Sequence, residues 1–137
     1  MTDIETDRSD RVPAADIDSM SVCTDGAYLV FFLDLAANAT FSHSGPANQE
    51  KYQIRIETDP GDEFELLIIS TTDLTIYNRQ ANSFTNIGAP GVSGDRIECR
   101  VSLSTIGNPS KISVDALTWS DFIMDSYDET REIYINL

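Results

Sequence analysis

The sequence predicts an all-β domain, an antiparallel β-sandwich of about eight or nine strands. Turn-forming clusters such as Asp25-Gly26 and Asp59-Pro60-Gly61 recur at roughly ten-residue spacing, which favours many short strands. The segments between these turns alternate apolar and polar residues, which is typical of half-buried strands. No segment carries an apolar stripe of helical period. A jelly-roll-like closure of the same strands is the competing architecture.

Each strand is predicted from the same two signals, alternation and flanking turns. The predicted strands cover residues 16–23, 27–35, 51–58, 63–69, 74–78, 96–103, 111–118 and 132–137, with a short extra strand near 84–87. Residues 27–35 are apolar on both faces, which favours the middle of a sheet. In the third strand Tyr52, Ile54 and Ile56 share the inward face. One helical turn is predicted around residues 104–107.

The chain of 137 residues fits one domain preceded by a short tail. Residues 1–13 are polar, rich in Asp and close with Pro13, so they are predicted to be an acidic tail or linker that could include one edge strand. Residues 14–137 form the predicted sandwich domain. The first ten residues lack the basic and apolar regions of a signal peptide.

The charge balance excludes some partners. Lys and Arg total 9 against 23 Asp and Glu, a formal net charge of −14. Nucleic-acid affinity depends on cationic side chains that release counterions, so we expect no DNA or RNA partner. Anionic membrane surfaces are disfavoured for the same reason. The longest apolar run, residues 28–33, is far shorter than the roughly 20 residues needed to cross a bilayer, so no membrane insertion by this segment is expected.

Catalytic chemistry finds little support in the residue types. His43 is the single histidine, and Ser42 and Ser44 flank it in a Gly/Pro-containing loop, where an exposed histidine is the simpler interpretation. Carboxylates are so abundant that no glycosidase pair stands out. No Gly-rich phosphate loop is present, so no nucleotide is expected. We therefore expect a protein that is not an enzyme.

Calcium is the cofactor that the acidic turns favour, since this ion takes six to eight oxygen ligands. In a simple antiparallel sandwich alternate connections lie at the same end. Three acidic connections would then converge, provided that no extra strand follows Asn78. The predicted metal ligands are Asp59, Asp62, Asp121, Asp125 and Asp128, with Asp25 and Glu63 beside them. Solvated acidic loops on an acidic protein are the alternative.

The aromatic residues divide into core and loop candidates. The alternating residues Tyr28, Phe32, Tyr52 and Phe64 are predicted to be core. Loop aromatics, including Phe41, either cover the sandwich ends or stack on a sugar ring. The predicted ligand-binding residues are Trp119, Tyr127, Phe84, Arg79 and Asn78. Trp119 ranks first because it ends an alternating strand and leads into the acidic segment 121–128.

Cys23 and Cys99 are the only cysteines, and two states are open to them. In an exported protein a single pair favours a disulfide between distant strands. Cys99 is predicted to point inward, whereas Cys23 has the opposite parity to Met20 and Val22, which disfavours the bridge. Reduced thiols would behave as small buried hydrophobic groups.

Four segments together resemble family 9 carbohydrate-binding modules and the related DOMON-type sandwiches. They read ADIDSMSVCTDGAYLVFFLDL, YQIRIETDPGDEFELLI, DRIECRVSLSTIG and ISVDALTWSDFIMDSYDE, within residues 14–131. The resemblance implies a β-sandwich accessory module that binds sugars, sometimes calcium, and in some DOMON branches haem. Sugar-binding members clamp the ligand between two Trp rings, whereas Trp119 is the single Trp of this chain.

The haem branch needs a Met and a His as axial ligands. His43 lies in a loop away from the strand that contains Met20, so no haem is expected. The prediction is therefore a non-catalytic accessory module of a longer exported, extracellular or cell-surface protein, carbohydrate-binding and calcium-stabilised. The alternative is a structural or adhesive surface domain, a spacer or assembly module without a small-molecule ligand.

Overall fold

The computed structural model describes residues 3–5, 17–41, 50–59, 61–120 and 125–137, and the structural statements below concern these residues. They form twelve strands and one 3₁₀ turn, so the all-β prediction is confirmed. The strands are β1 Asp3–Glu5, β2 Ile17–Thr24, β3 Tyr28–Leu35, β4 Glu50–Thr58, β5 Glu63–Ser70, β6 Asp73–Asn78, β7 Ser83–Gly88, β8 Gly91–Ser93, β9 Arg96–Ser102, β10 Lys111–Ser120, β11 Asp125–Thr130 and β12 Ile133–Asn136. The 3₁₀ turn covers Leu103–Ile106, beside the predicted helical turn. Within these residues no helix is long and apolar enough to cross a membrane.

The strands form two antiparallel sheets, as the sandwich prediction requires. The smaller sheet has the order β2-β3-β9-β8. The larger has the order β1-β11-β10-β4-β5-β6-β7, and β12 also pairs with β10. The chain passes from one sheet to the other after β1, β3, β7 and β9. β3 lies between two partners, which confirms that the strand apolar on both faces is internal.

The core lies between the sheets and follows the predicted alternation. The fully buried large side chains are Tyr52, Phe31, Ile17, Met20, Leu29, Leu33, Leu35, Ile54, Ile56, Leu66, Ile68 and Leu74. Ile97, Cys99 and Val101 of β9 are buried as predicted, and so are Ile112, Val114 and Ala116 of β10. In β12 the prediction is only partly right. Ile133 and Ile135 pack against the core, but Leu137 is 37% exposed.

Two of the four aromatic residues predicted to be core lie outside it. Tyr52 and Phe64 are buried, but Tyr28 is 42% exposed and Phe32 is only half-buried. Arg96 lies over the ring of Phe32, 5.2 Å from its centroid, on the outer face of the smaller sheet. Phe31 is the core aromatic of β3. Because every residue from Tyr28 to Leu33 is apolar, parity could not tell the two faces of this strand apart.

Of the twelve strands, β8 and β11 are absent from the sequence prediction, and β1 is predicted only as an edge strand that the acidic tail could include. β1 and β8 have three residues each, too few for an alternation to show. β1 pairs with β11 within the segment predicted as a tail. β11, with the sequence DSYDET, was predicted as part of an acidic loop. It forms a strand because β10 extends to Ser120 and offers an edge to pair with.

Of the two states open to the cysteines, the structure has the reduced one, because both cysteines are free. Cys23 is opposite Val30 in the β2–β3 register, and Cys99 is opposite Phe31 in the β3–β9 register. Val30 and Phe31 point to opposite faces of one sheet, so the two thiols do as well. Cys23 is exposed, whereas Cys99 is buried and its burial raises the pKa of its thiol to about 12.

We expect the two thiols to differ sharply in reactivity. A thiol reagent at pH 8 should label Cys23 in the native protein, because this thiol is exposed and the reagent can reach it. Cys99 should react only after unfolding in denaturant. Mass spectrometry of the labelled chain should therefore show one adduct under native conditions and two under denaturing conditions. A chain that takes no label until reductant is added would contradict the free-thiol structure.

Thr130 is the last residue of β11. β11 and β12 pair with successive stretches of the same edge of β10. β11 pairs with Leu117–Ser120, and β12 pairs with Lys111–Val114. At the gap the backbone N–H of Ala116 donates to Oγ1 of Thr130 over 2.9 Å, and Thr130 is 4% exposed. This hydroxyl satisfies a buried amide that neither strand reaches.

Thr130→Val should therefore lower the free energy of unfolding by about 1–3 kcal/mol, the cost of leaving a buried donor unpaired. Valine keeps the shape and β propensity of threonine, so the loss reports the hydrogen bond. Thr130→Ser retains the acceptor and is the matched control. Urea unfolding of the three proteins checks the order. Equal stability of the Val variant and the wild type would show that the hydroxyl does not hold this edge.

Candidate functional site

The outer face of the larger sheet carries rows of side chains fixed by strand register. Because Ile54 and Ile56 point into the core, Arg55 and Glu57 point outward. The central row contains Asp115, Arg55, Glu65, Tyr77 and Phe84, one from each of β10, β4, β5, β6 and β7. The neighbouring row contains Tyr134, Ser113, Glu57 and Glu63, from β12, β10, β4 and β5.

Arg55 is the cation at the centre of this face. Its Nε donates to Oδ1 of Asp115 over 3.0 Å, and its Nη2 contacts carboxylate oxygens of both Asp115 and Glu129. The hydrogen bond that Arg55 donates to Asp115, together with the charges of both carboxylates, raises the pKa of the guanidinium. One planar guanidinium therefore ties β4 to β10 and β11.

Arg79 is a second, more exposed cation, in the turn that follows β6. Its Nε lies 3.0 Å from Oε2 of Glu63, and its Nη2 lies 2.9 Å from Oε1 of Glu65. The hydrogen bond that Arg79 donates to Glu65 and the charges of both carboxylates raise the pKa of Arg79. The backbone N–H of Arg79 also donates to the carbonyl of Glu63 over 3.1 Å, which fixes the turn beside β5.

A groove of about 380 Å³ lies between these two cations. Arg55, Glu57, Glu65, Arg79 and Asp115 are among its lining residues. A second hollow of about 560 Å³ adjoins it and shares three lining residues, Glu57, Ser113 and Glu132. The two hollows form one channel along the sheet face, which we call the outer groove.

Aromatic side chains stand at both sides of the outer groove. Tyr134, which is 78% exposed, lines the second hollow, and its hydroxyl donates to Oε2 of Glu132 over 3.0 Å. That carboxylate raises the pKa of Tyr134. On the other side Tyr77 stacks on Phe84, with ring centroids 4.5 Å apart and planes inclined by 27°. Phe84 is 65% exposed, so one of its faces is open.

The predicted ligand-binding residues do not converge on one place. Asn78, Arg79 and Phe84 meet at the β6–β7 hairpin, where Oδ1 of Asn78 accepts the backbone N–H of Ala81 over 3.1 Å. Trp119 belongs to β10, three strands from β6, and its backbone pairs with Lys51 and Ser126. It is the penultimate residue of β10, one residue from the strand end that the sequence predicted, and residues 121–124 lie outside the described part of the chain.

Tyr127 is likewise a strand residue, at a register shift in β11 between Ser126 and Asp128. The side chains of Trp119 and Tyr127 lie outside the described part of the chain. Phe41, the other loop aromatic, packs edge-on against the buried ring of Tyr52, with centroids 5.5 Å apart. It covers the core as the alternative interpretation proposed.

The predicted convergence of acidic turns is wrong. Asp59 and Asp62 lie at the β4–β5 turn, and the N–H of Asp59 donates to the carbonyl of Lys111 over 3.1 Å. Asp125 pairs with Ser120, at the other end of β10, roughly 31 Å away at about 3.4 Å per residue. β7 is the extra strand after Asn78 that reverses the chain and separates the two ends.

The remaining predicted ligands do not restore a shared site. Asp128 is opposite Thr118 on β11, and Asp121 lies outside the described residues. Asp25 instead caps its own turn, since its Oδ1 accepts the backbone N–H groups of Ala27 and Tyr28, which lower the pKa of Asp25. Among the described residues, no group of three His, Cys, Asp or Glu is placed to hold a metal ion.

Among the lining residues of the outer groove, the sequence singled out Arg79, Asp59 and Glu63 as candidate site residues, but it assigned them to different sites. The sequence shows that Arg55 and Glu57 point outward, because they alternate with residues that face the core. Sequence alone could not show that Asp115 would lie opposite Arg55, because 60 positions separate them. Tyr134 lies in the last strand, where the sequence predicts only which residues face inward.

Comparisons of the chain with protein families, curated proteins and solved structures found no match. The function is therefore argued from the groove. Its carboxylates and guanidinium groups can exchange hydrogen bonds with hydroxyl groups, and its exposed rings can pack against apolar faces.

The central ion pair should matter more for stability than the exposed one. Arg55→Met should lower the free energy of unfolding by about 1–2 kcal/mol at pH 7, because two adjacent carboxylates lose their shared cation. Arg79→Met, the matched control, should cost less than Arg55→Met because Arg79 and its partner Glu63 are more exposed than Arg55 and its two partners. Methionine keeps an apolar stem at either position.

Salt dependence identifies the cause. Added NaCl screens the attraction between Arg55 and its partly exposed partners Asp115 and Glu129. The difference in stability between the wild type and Arg55→Met should therefore shrink as NaCl rises from about 0.02 to 1 M. Thermal unfolding at several salt concentrations measures it, and a difference independent of salt would mean that Arg55 acts through packing alone.

Proposed function

We propose that this domain is a non-catalytic carbohydrate-binding module of a secreted or cell-surface protein, and that the outer groove is its binding site. The observation that supports the proposal is a groove of hydrogen-bonding side chains with the exposed ring of Tyr134 in its lining and the Tyr77–Phe84 stack beyond Glu65 in the same row. A sugar presents hydroxyl groups at its rim and C–H groups on its faces. It therefore needs this combination of polar partners and an open aromatic surface.

The groove favours an elongated ligand. The lining of the groove comes from β12, β10, β4 and β5 and from Arg79, so the groove crosses at least three strand spacings, roughly 14 Å at about 4.8 Å each. It lies on a pleated sheet face, whose strands hold the lining side chains rigidly. A linear oligosaccharide fits such a channel better than a single monosaccharide does.

The charged side chains of the outer groove limit which sugars it can bind. The lining of the groove contains two arginines, and both already contact carboxylates. The surplus of carboxylates over guanidinium groups repels uronic acids and sulfated sugars. We therefore propose neutral glycans as the ligands.

A structural or adhesive role without a small ligand is the second candidate. Each arginine of the groove is engaged by two carboxylates, and Arg55 ties together β4, β10 and β11. In that case the charged side chains serve to hold neighbouring strands of the sheet together, and the groove would bind no sugar.

The proposal predicts that neutral linear hexaoses bind and that Tyr134 contributes. The panel consists of β-1,4-linked glucose, mannose and xylose hexaoses, with a hexagalacturonate as the acidic control. Calorimetric titration should detect at least one neutral hexaose and no hexagalacturonate. Tyr134→Ala should weaken the binding at least about tenfold, which is about 1.4 kcal/mol.

Tyr28→Ala removes a second exposed tyrosine, on the other sheet, and should leave the affinity unchanged. Both variants should keep the melting temperature of the wild type within a few degrees, because both rings are solvent-exposed. If no hexaose binds, or if Tyr28→Ala and Tyr134→Ala weaken binding equally, the outer groove is not the site and the structural role is favoured.

A further inference from the structure

Four of the five edge strands among the described residues carry features that oppose pairing with another chain. β1 has three residues, and two of them are acidic. β8 also has only three residues, and β12, which pairs with β10 alone, has four. β2 has a register shift beside Asp18, and it contacts β1, β10 and β11 of the other sheet. Short length, charge, bulges and coverage are the usual means by which proteins protect sheet edges.

β7 is the edge that lacks this protection. Its six residues contain no charged side chain, and residues 80–94 around it contain none either. Ser83 to Asn86 are all exposed, including Phe84 at 65%. The register shift of β7 lies at its end, beside Ile87, so the first four residues pair regularly with β6. On the other side of β7 no strand is present among the described residues.

We propose that β7 is a self-association edge, at which β7 of a second copy of this chain pairs antiparallel. The distribution of charge on the protein surface indicates which kind of partner would pair with β7. A cationic partner would be drawn to the acidic surfaces of the protein, whereas an uncharged edge gives it no attraction. Two copies that each carry −14 repel one another, and the repulsion is weakest where neither presents charge. The neutral edge therefore suits a like-charged partner.

The geometry is that of a two-fold dimer. Antiparallel pairing of identical strands about Thr85 closes on itself and joins the two larger sheets edge to edge. Residues directly opposite in such a pair share a face, so Phe84 lies across from Asn86 of the second copy. The Tyr77–Phe84 stacks of the two copies then lie on the same outer face, with the two Phe84 rings diagonal to each other across the new strand pair. The exposed ring of Phe84 becomes partly covered.

The decisive variant adds one negative charge at the centre of the edge. Sedimentation velocity should compare the wild type, Thr85→Asp and Thr71→Asp. Thr71 is exposed in the β5–β6 turn, so its variant has the same net charge but an intact edge. Wild type and Thr71→Asp should form dimers, while Thr85→Asp should dimerise at least about tenfold more weakly. Raising NaCl from about 0.02 to 0.3 M should strengthen the wild-type dimer, because salt screens the mutual repulsion.

Hydrogen exchange of the wild type provides a test that needs no variant. The amides of residues 83–86 should exchange more slowly as the protein concentration rises, while those of the β5–β6 turn should not change. This measurement decides the question if Thr85→Asp fails to fold. A monomer up to about 1 mM would overturn the proposal. So would equal dimerisation of the two Asp variants, or growth of open-ended assemblies in place of a dimer.

Discussion

The register between β10, β4 and β5 is the constraint on which both faces of the larger sheet depend. It places Val114 beside Ile56 and Ile56 beside Phe64 on the inner face, where these side chains are buried. The same register necessarily places Asp115, Arg55 and Glu65 side by side on the outer face. A slip of one residue would exchange the two sets and bury the charges. The apolar core therefore determines where the charged rows lie.

This arrangement also explains how a chain of net charge −14 tolerates so many carboxylates on one face. Arg55 is shared by Asp115 and Glu129, and Arg79 by Glu63 and Glu65. Each cation lies between two carboxylates and offsets their mutual repulsion. β7 carries no charged side chain, so the larger sheet has a charged groove and a neutral edge.

Sequence predicted the inner face well, because alternation in β4, β9 and β10 depends only on which residues need burial. It did not separate Tyr28 and Phe32 from Phe31 in β3, where both faces are apolar. It also missed β11, whose sequence DSYDET has the composition of a loop and becomes a strand through its pairing with β10. The acidic turns were assigned to one end by counting strands, and β7 reversed that count. Long-range register, which composition does not encode, created the groove.

The central claim is that the outer groove, defined by this register, is a neutral-glycan site. Backbone NMR of the labelled domain during titration with a neutral hexaose tests it most directly, because it locates the contact residue by residue. The account predicts that the shift changes concentrate on Arg55, Glu57, Ser113 and Tyr134, on three adjacent strands. Changes confined to residues 119–128 or to the smaller sheet would contradict it, and so would the absence of any change.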